Sequence, residues 1–99
     1  MALYSSQPPR QADSYSFAFR PDGPARLTFE VFPENGRTAV APPQRFDHAV
    51  AGKTQWVRSL ATTWKDGWYR MEIGGYALGG NGDEVKQEVR FYHAHRLGN

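Results

Sequence analysis

The stretch SYSFAFRPDGPARLTFEVF (residues 14–32) decides what kind of fold this chain can adopt. Tyr15, Phe17 and Phe19 alternate with Ser14, Ser16 and Ala18. Beyond PDGP (21–24), Leu27, Phe29 and Val31 alternate with Thr28 and Glu30. Successive side chains on a strand point to opposite faces, so a period of two predicts two strands, each apolar on one side. Between them Pro21 presets φ and Gly23 accepts positive φ, which marks a turn and predicts that the two strands pair as a hairpin.

The same alternation recurs toward both termini. Residues 1–13 are polar, with Pro8 and Pro9 adjacent, and are expected to form an arm or linker ahead of a domain at 14–99. After the PENG turn (33–36), residues 37–41 predict a short edge strand, blunted by Pro42 and Pro43. Phe46, His48 and Val50 alternate in the next segment. Residues 54–63 read either way. Trp56 and Leu60 stand four apart, as in a short helix, whereas β-branched Val57, Thr62 and Thr63 favour a strand, and strand is the stronger reading. After Asp66-Gly67, Tyr69, Met71 and Ile73 face one way and Trp68, Arg70 and Glu72 the other. A loop with five glycines is expected over 74–82, and a last strand carries Val85, Gln87, Val89, Phe91, His93 and His95 on one face. Six to seven short strands separated by Gly and Pro turns predict an all-β fold: a single antiparallel β-sandwich, Ig-like in size.

Composition agrees and narrows the function. Ninety-nine residues make one domain with one modest core, and its 14 aromatic residues must supply much of that core. Twelve basic and ten acidic residues, interspersed, give a net charge of +2. No basic run stands out, so no nucleic-acid partner is expected. The absence of cysteine excludes disulfides and thiolate metal sites. No apolar run approaches the roughly 18 residues of a membrane helix, and the N-terminal stretch lacks a hydrophobic signal core, so a soluble chain is expected.

Two groups of residues are candidates for chemistry. His93 and His95, two apart on one strand, project the same way and would chelate a metal if His48 joined them, which requires the strands at 45–50 and 84–97 to be neighbours. The plainer expectation is that these histidines mark the wet end of the sheet, with no metal and no cofactor. No serine sits in a nucleophile elbow, and Glu34, Asp83 and Glu84 fall in turns where a carboxylate is solvated. A non-catalytic chain is therefore expected. The second group is aromatic. Trp56, Trp64 and Trp68 fall close together; one should centre the core, while Trp68 and Trp64 at a loop end are placed to touch a partner. Trp64, Trp68, Arg70 and Tyr76 are thus the candidate binding residues, lining one end of the sandwich beside the glycine loop. A sugar could stack on the same tryptophans, which makes a carbohydrate-binding sandwich the first alternative; a small metal-dependent enzyme using His48, His93 and His95 is the second.

Taken together, FEVFPEN, APPQRFDHAVAGK, TTWKDGWYRMEIGG and VRFYHAHRLG resemble the C-terminal β-sandwich module of bacterial phospholipases C of the phosphatidylcholine-preferring kind. Pro43, Phe46, Ala51, Gly52 and Lys53 match the family's Pro-aromatic-Ala-Gly-Lys element. Trp64, Gly67, Trp68, Tyr69 and Ile73 match its Trp-rich strand, and Arg90, Phe91, Arg96 and Gly98 its closing strand. The matched region runs from Phe29 to Gly98. Arg70 stands where the family pattern has aspartate, and HAHRLG replaces a tighter arginine–phenylalanine ending. The resemblance implies an accessory module that contacts a catalytic domain, a lipid surface or another protein, in an extracellular or periplasmic setting. No catalytic residue of that family transfers to this chain.

Overall fold

The computed structural model describes residues 3–5 and 14–94, and among these it contains seven strands and no helix. The strands are β1 (Leu3–Ser5), β2 (Ser14–Pro21), β3 (Ala25–Pro33), β4 (Gln44–Ala49), β5 (Gln55–Leu60), β6 (Gly67–Ala77) and β7 (Glu84–His93). They form two antiparallel sheets, one of order β1-β2-β5 and one of order β4-β3-β6-β7. The inner faces meet in one core. Tyr15, Phe17 and Phe19 from β2 oppose Leu27, Phe29 and Val31 from β3, Tyr69, Met71 and Ile73 from β6, and Val89 and Phe91 from β7. This is the all-β sandwich expected from the alternation. Full burial of a Phe-sized side chain contributes about 1.5–3 kcal/mol, so the buried rings supply a large share of the stabilisation of so small a domain.

The segment that fixes the fold class does not fold as a hairpin. β2 pairs with β5, and β3 pairs with β4 and β6, so PDGP is a corner between the two sheets. The reason lies in the side chains: both strands are apolar on one face only, and stacking them face to face buries both faces at once. Phe19 and Phe29 meet across the core with ring centroids 4.7 Å apart, and Phe19 meets Phe46 of β4 at 4.9 Å. Pro21 and Pro24 also lack the N–H groups that a hairpin ladder would use at its closed end.

Three further local expectations change. Residues 37–41 form no strand; Val40 instead donates one backbone hydrogen bond to the Val31 carbonyl (2.9 Å). Residues 55–60 form a strand with Val57 inward and Trp56 and Arg58 outward, which resolves the helix-or-strand choice. Residues 74–77 are strand rather than loop, because β6 runs on to Ala77. Gly75 makes that continuation feasible. It adopts φ +146°, and a Cβ there would lie 1.8 Å from the Arg26 carbonyl oxygen of β3, a contact no side chain survives.

Candidate functional site at the Trp68 end of the sandwich

Trp64 lies just past β5. Its backbone N–H donates to the Ala61 carbonyl (3.1 Å), and this turn tucks the indole inward, leaving the residue 4% exposed. The ring stacks between Tyr15 (centroids 5.6 Å apart) and Tyr69 (5.2 Å) and meets the His93 ring edge-on at 5.6 Å. Tyr15 is hydrogen-bonded through its hydroxyl to His93 Nδ1, and Tyr69 donates its hydroxyl proton to the Lys65 carbonyl (2.6 Å). Burial, reinforced by Tyr69 and by the Asp66 carboxylate, pushes the Tyr15 phenol up to about 12. Burial and Asp66 raise Tyr69 as well, against an opposing pull from its bond to the Lys65 backbone. Both phenols are therefore neutral at physiological pH and serve as packing and hydrogen-bonding groups.

A cleft of about 400 Å³ opens over this cluster, with nearly buried Trp64 as its floor and with half-buried Pro33 and Val40 and exposed Lys65, Asp66 and Trp68 also lining it. Trp68, the second residue of β6, lies on the outer face and is 50% exposed. Its cross-strand partner on β7 is Tyr92, whose ring meets the indole edge-on with centroids 5.5 Å apart. The Arg90 guanidinium lies 5.6 Å from the Trp68 ring centre and forms an ion pair with Glu34. One position inward, Arg70 sits 4.8 Å over the Phe32 ring. Its guanidinium donates to the carbonyls of Pro33 (2.7 Å) and Glu34 (2.9 Å) and to the Glu72 carboxylate (2.8 Å). Arg70 thus fastens the chain leaving β3 to β6.

The four candidate binding residues do not meet as one set. Trp64 and Trp68 share the cleft, Trp64 as floor rather than as an exposed loop-end ring. Arg70 stands beside them, its donors engaged in holding the turn. Tyr76 is 57% exposed but lies eight positions along β6 from Trp68, roughly 27 Å away at about 3.4 Å per residue. Sequence reasoning missed Tyr92, Arg90 and Phe32 as neighbours of Trp68 and Arg70. The signal was available in the β6–β7 register: once Asp83 is placed at the hairpin end, Trp68 must face Tyr92.

His48 and His93 do not converge. β4 and β7 are the opposite edges of the four-stranded sheet, with β3 and β6 between them. His93 is fully buried, whereas His48 faces solvent. The cause is a bulge: Leu27 faces Phe46 but Ala25 faces Ala49, so one extra residue on β4 turns Ala49 inward and His48 outward. Val50 is turned outward as well. His95 lies outside the described residues, and among those described no group of three metal-ligating side chains forms.

Compared with family models, curated proteins and solved structures, this chain matches none. The resemblance to phospholipase C modules therefore rests on the quoted residues alone.

Proposed function

We propose that this chain is a non-catalytic binding module of the accessory kind, docking through the Trp68 end of the sandwich onto a lipid surface or a partner protein domain. One observation carries the reading: Trp68 and Tyr92 present a half-exposed aromatic corner beside an apolar-floored cleft, with Arg90 and Lys65 at hand. An indole and a phenol with cations beside them suit a headgroup layer, where amphipathic rings settle and guanidinium or ammonium groups meet phosphate. The same arrangement suits a protein surface, since aromatic residues and arginine dominate contact energies. The resemblance to the phospholipase C accessory module supports the same choice.

Vesicle co-sedimentation tests it, with zwitterionic and anionic vesicles and with the protein as it exists. Sedimentation that Trp68→Ala weakens supports docking on lipid. No sedimentation, combined with partner capture that Trp68→Ala abolishes, supports docking on protein. Binding of either kind that is indifferent to Trp68→Ala and Tyr92→Ala overturns the assignment of this surface.

A glycan-binding reading has one observation of its own. Trp56 on β5 is half-exposed in a shallow depression beside Phe46 and the Arg58 guanidinium, which pairs a ring with a group able to bond hydroxyls. Tryptophan fluorescence across a glycan panel, with Trp56→Ala as control, tests it; a flat response removes it.

A further inference from the structure

We infer that a second copy of this chain pairs with the first along β7, joining two four-stranded sheets into one continuous sheet of eight. Among the described residues β7 is the long edge strand with no partner on its far side. It has ten residues, no proline or glycine, and an unbroken register with β6 from Gly67↔His93 to Tyr76↔Glu84. The other edges are short or closed. β1 has three residues. β4 has six residues and a bulge. At β5 the Gln44 side chain occupies the backbone, donating to the Arg58 carbonyl (2.5 Å) and accepting from the Arg58 N–H (3.3 Å) as a neighbouring strand would.

The phase of the β7 ladder is fixed by two bonds. Ala77 donates to the Asp83 carbonyl (2.8 Å), and Glu34 donates to the Trp68 carbonyl (3.0 Å). Hydrogen-bonded pairs alternate in antiparallel sheets, so Val85, Gln87, Val89 and Phe91 bond to β6, and the N–H and C=O groups of Glu84, Lys86, Glu88 and Arg90 point away from it. These four residues also place their side chains on the outer face, with signs in the order minus, plus, minus, plus.

Charge selects both the occupant and the register. A twofold axis through Glu88 sets Glu88 against Glu88 and Lys86 against Arg90, which repel. An axis through Lys86 sets Lys86 against Lys86 and Glu84 against Glu88. An axis through Gln87 matches every charge: Lys86 faces Glu88 and Glu84 faces Arg90, each twice by symmetry. The match extends across the sheet. Glu30, Glu72 and Glu88 lie opposite one another on three adjacent strands, a row of like charge. In this register the second copy's Lys86 continues that row. Arg70 and Arg90 form the next charged row, and the second copy's Glu84 continues it. Among the described residues Lys86, Glu84 and Glu88 have no ion-pair partner within one chain.

Sedimentation equilibrium over a wide concentration range tests the pairing. The wild type should approach twice 11.2 kDa as concentration rises. Lys86→Glu, at an exposed position, should raise the dissociation constant by about tenfold or more, because two symmetric pairs become repulsive. Adding Glu88→Lys to it should restore association, since the exchanged charges match again. The amides of Lys86, Glu88 and Arg90 should exchange more slowly at high concentration. A wild type that stays monomeric throughout overturns the inference. So does a dimer whose strength ignores both variants, or one that protects β4 or β5 amides instead.

Discussion

Replacing Trp64 by alanine separates a core tryptophan from a contact tryptophan. Trp64 is almost fully enclosed, stacked on Tyr15 and Tyr69 and edge-on to His93. Truncating a buried Trp costs about 3–5 kcal/mol, made up of the lost transfer free energy and the cavity left behind. Two features act in opposite directions here. The indole also floors an open cleft, so water can enter and the void need not stay empty. Against that, each lost aromatic pair removes about 0.5–1.5 kcal/mol beyond its area. We therefore expect a loss near 3–4 kcal/mol, a large part of the roughly 5–15 kcal/mol that holds a domain of this kind together. At about 4–8 °C per kcal/mol for a domain of this length, the melting temperature should fall by roughly 12–30 °C. Urea denaturation followed by far-ultraviolet circular dichroism measures it, and the slope of the transition should be unchanged, so that the midpoint alone reports the loss. Trp68→Ala under the same conditions should cost about 1 kcal/mol or less, because half of that side chain is already in water. If Trp64→Ala moves the midpoint no further than Trp68→Ala does, the division of roles between the two tryptophans is wrong.

Three further outcomes follow from named contacts. Gly75→Ala should cost roughly 3 kcal/mol or more, because the new methyl collides with the Arg26 carbonyl and the backbone must leave φ +146°; loss of soluble yield or a collapsed melting temperature reports it, and an unchanged melt refutes the collision. Arg70→Lys keeps the charge but loses the planar fork that reaches the Pro33 and Glu34 carbonyls, and should cost about 1–2 kcal/mol in urea denaturation, while a neutral result would mean the turn holds itself. The third concerns alkaline pH. The folded-state Tyr15 phenol titrates near 12 and the unfolded one near 10, so the unfolded state releases its proton first as pH rises. The stability linked to Tyr15 is complete below about pH 10 and is lost between pH 10 and 12. Tyr69 adds to the loss in the same direction. Melting temperatures of Tyr15→Phe should decline less steeply across that window than those of the wild type; parallel curves would dissociate Tyr15 from the effect.

Period-two alternation made the sheets legible because each strand is apolar on one face only. Tyr15, Phe17, Phe19, Leu27, Phe29, Tyr69, Met71, Ile73, Val89 and Phe91 all point inward as their parity requires. Pairing was harder to read. A turn signal such as PDGP says that the chain bends, but not whether it returns within its own sheet or crosses to the other; that choice depends on which faces must be covered. The bulge in β4 carries no glycine or proline to announce it, so the alternation of Phe46, His48 and Val50 pointed to the wrong face. Gly75 was visible as a glycine, but its reason, a carbonyl of β3 within reach, is a fact of the third dimension. At the site, Trp68 was read as exposed because its parity opposes Tyr69. Trp64, outside any strand, had no parity to follow, and its turn carried it into the core.

The corner at residues 21–24 also shapes the order in which the molecule assembles. Since β2 does not zip onto β3, its partner is β5, with Ser14 opposite Leu60, and most of the four-stranded sheet's first half is threaded between them. The entropic cost of closing a loop rises with its length, so the β6–β7 ribbon, closed by the short segment 78–83, is the natural nucleus, and β3 joins it next through Gly75. Pairing β2 with β5 closes a much longer loop and is the entropically costlier step. Long-range pairing of this kind slows folding, and until β2 and β5 cover it the inner face of the larger sheet exposes its apolar side chains.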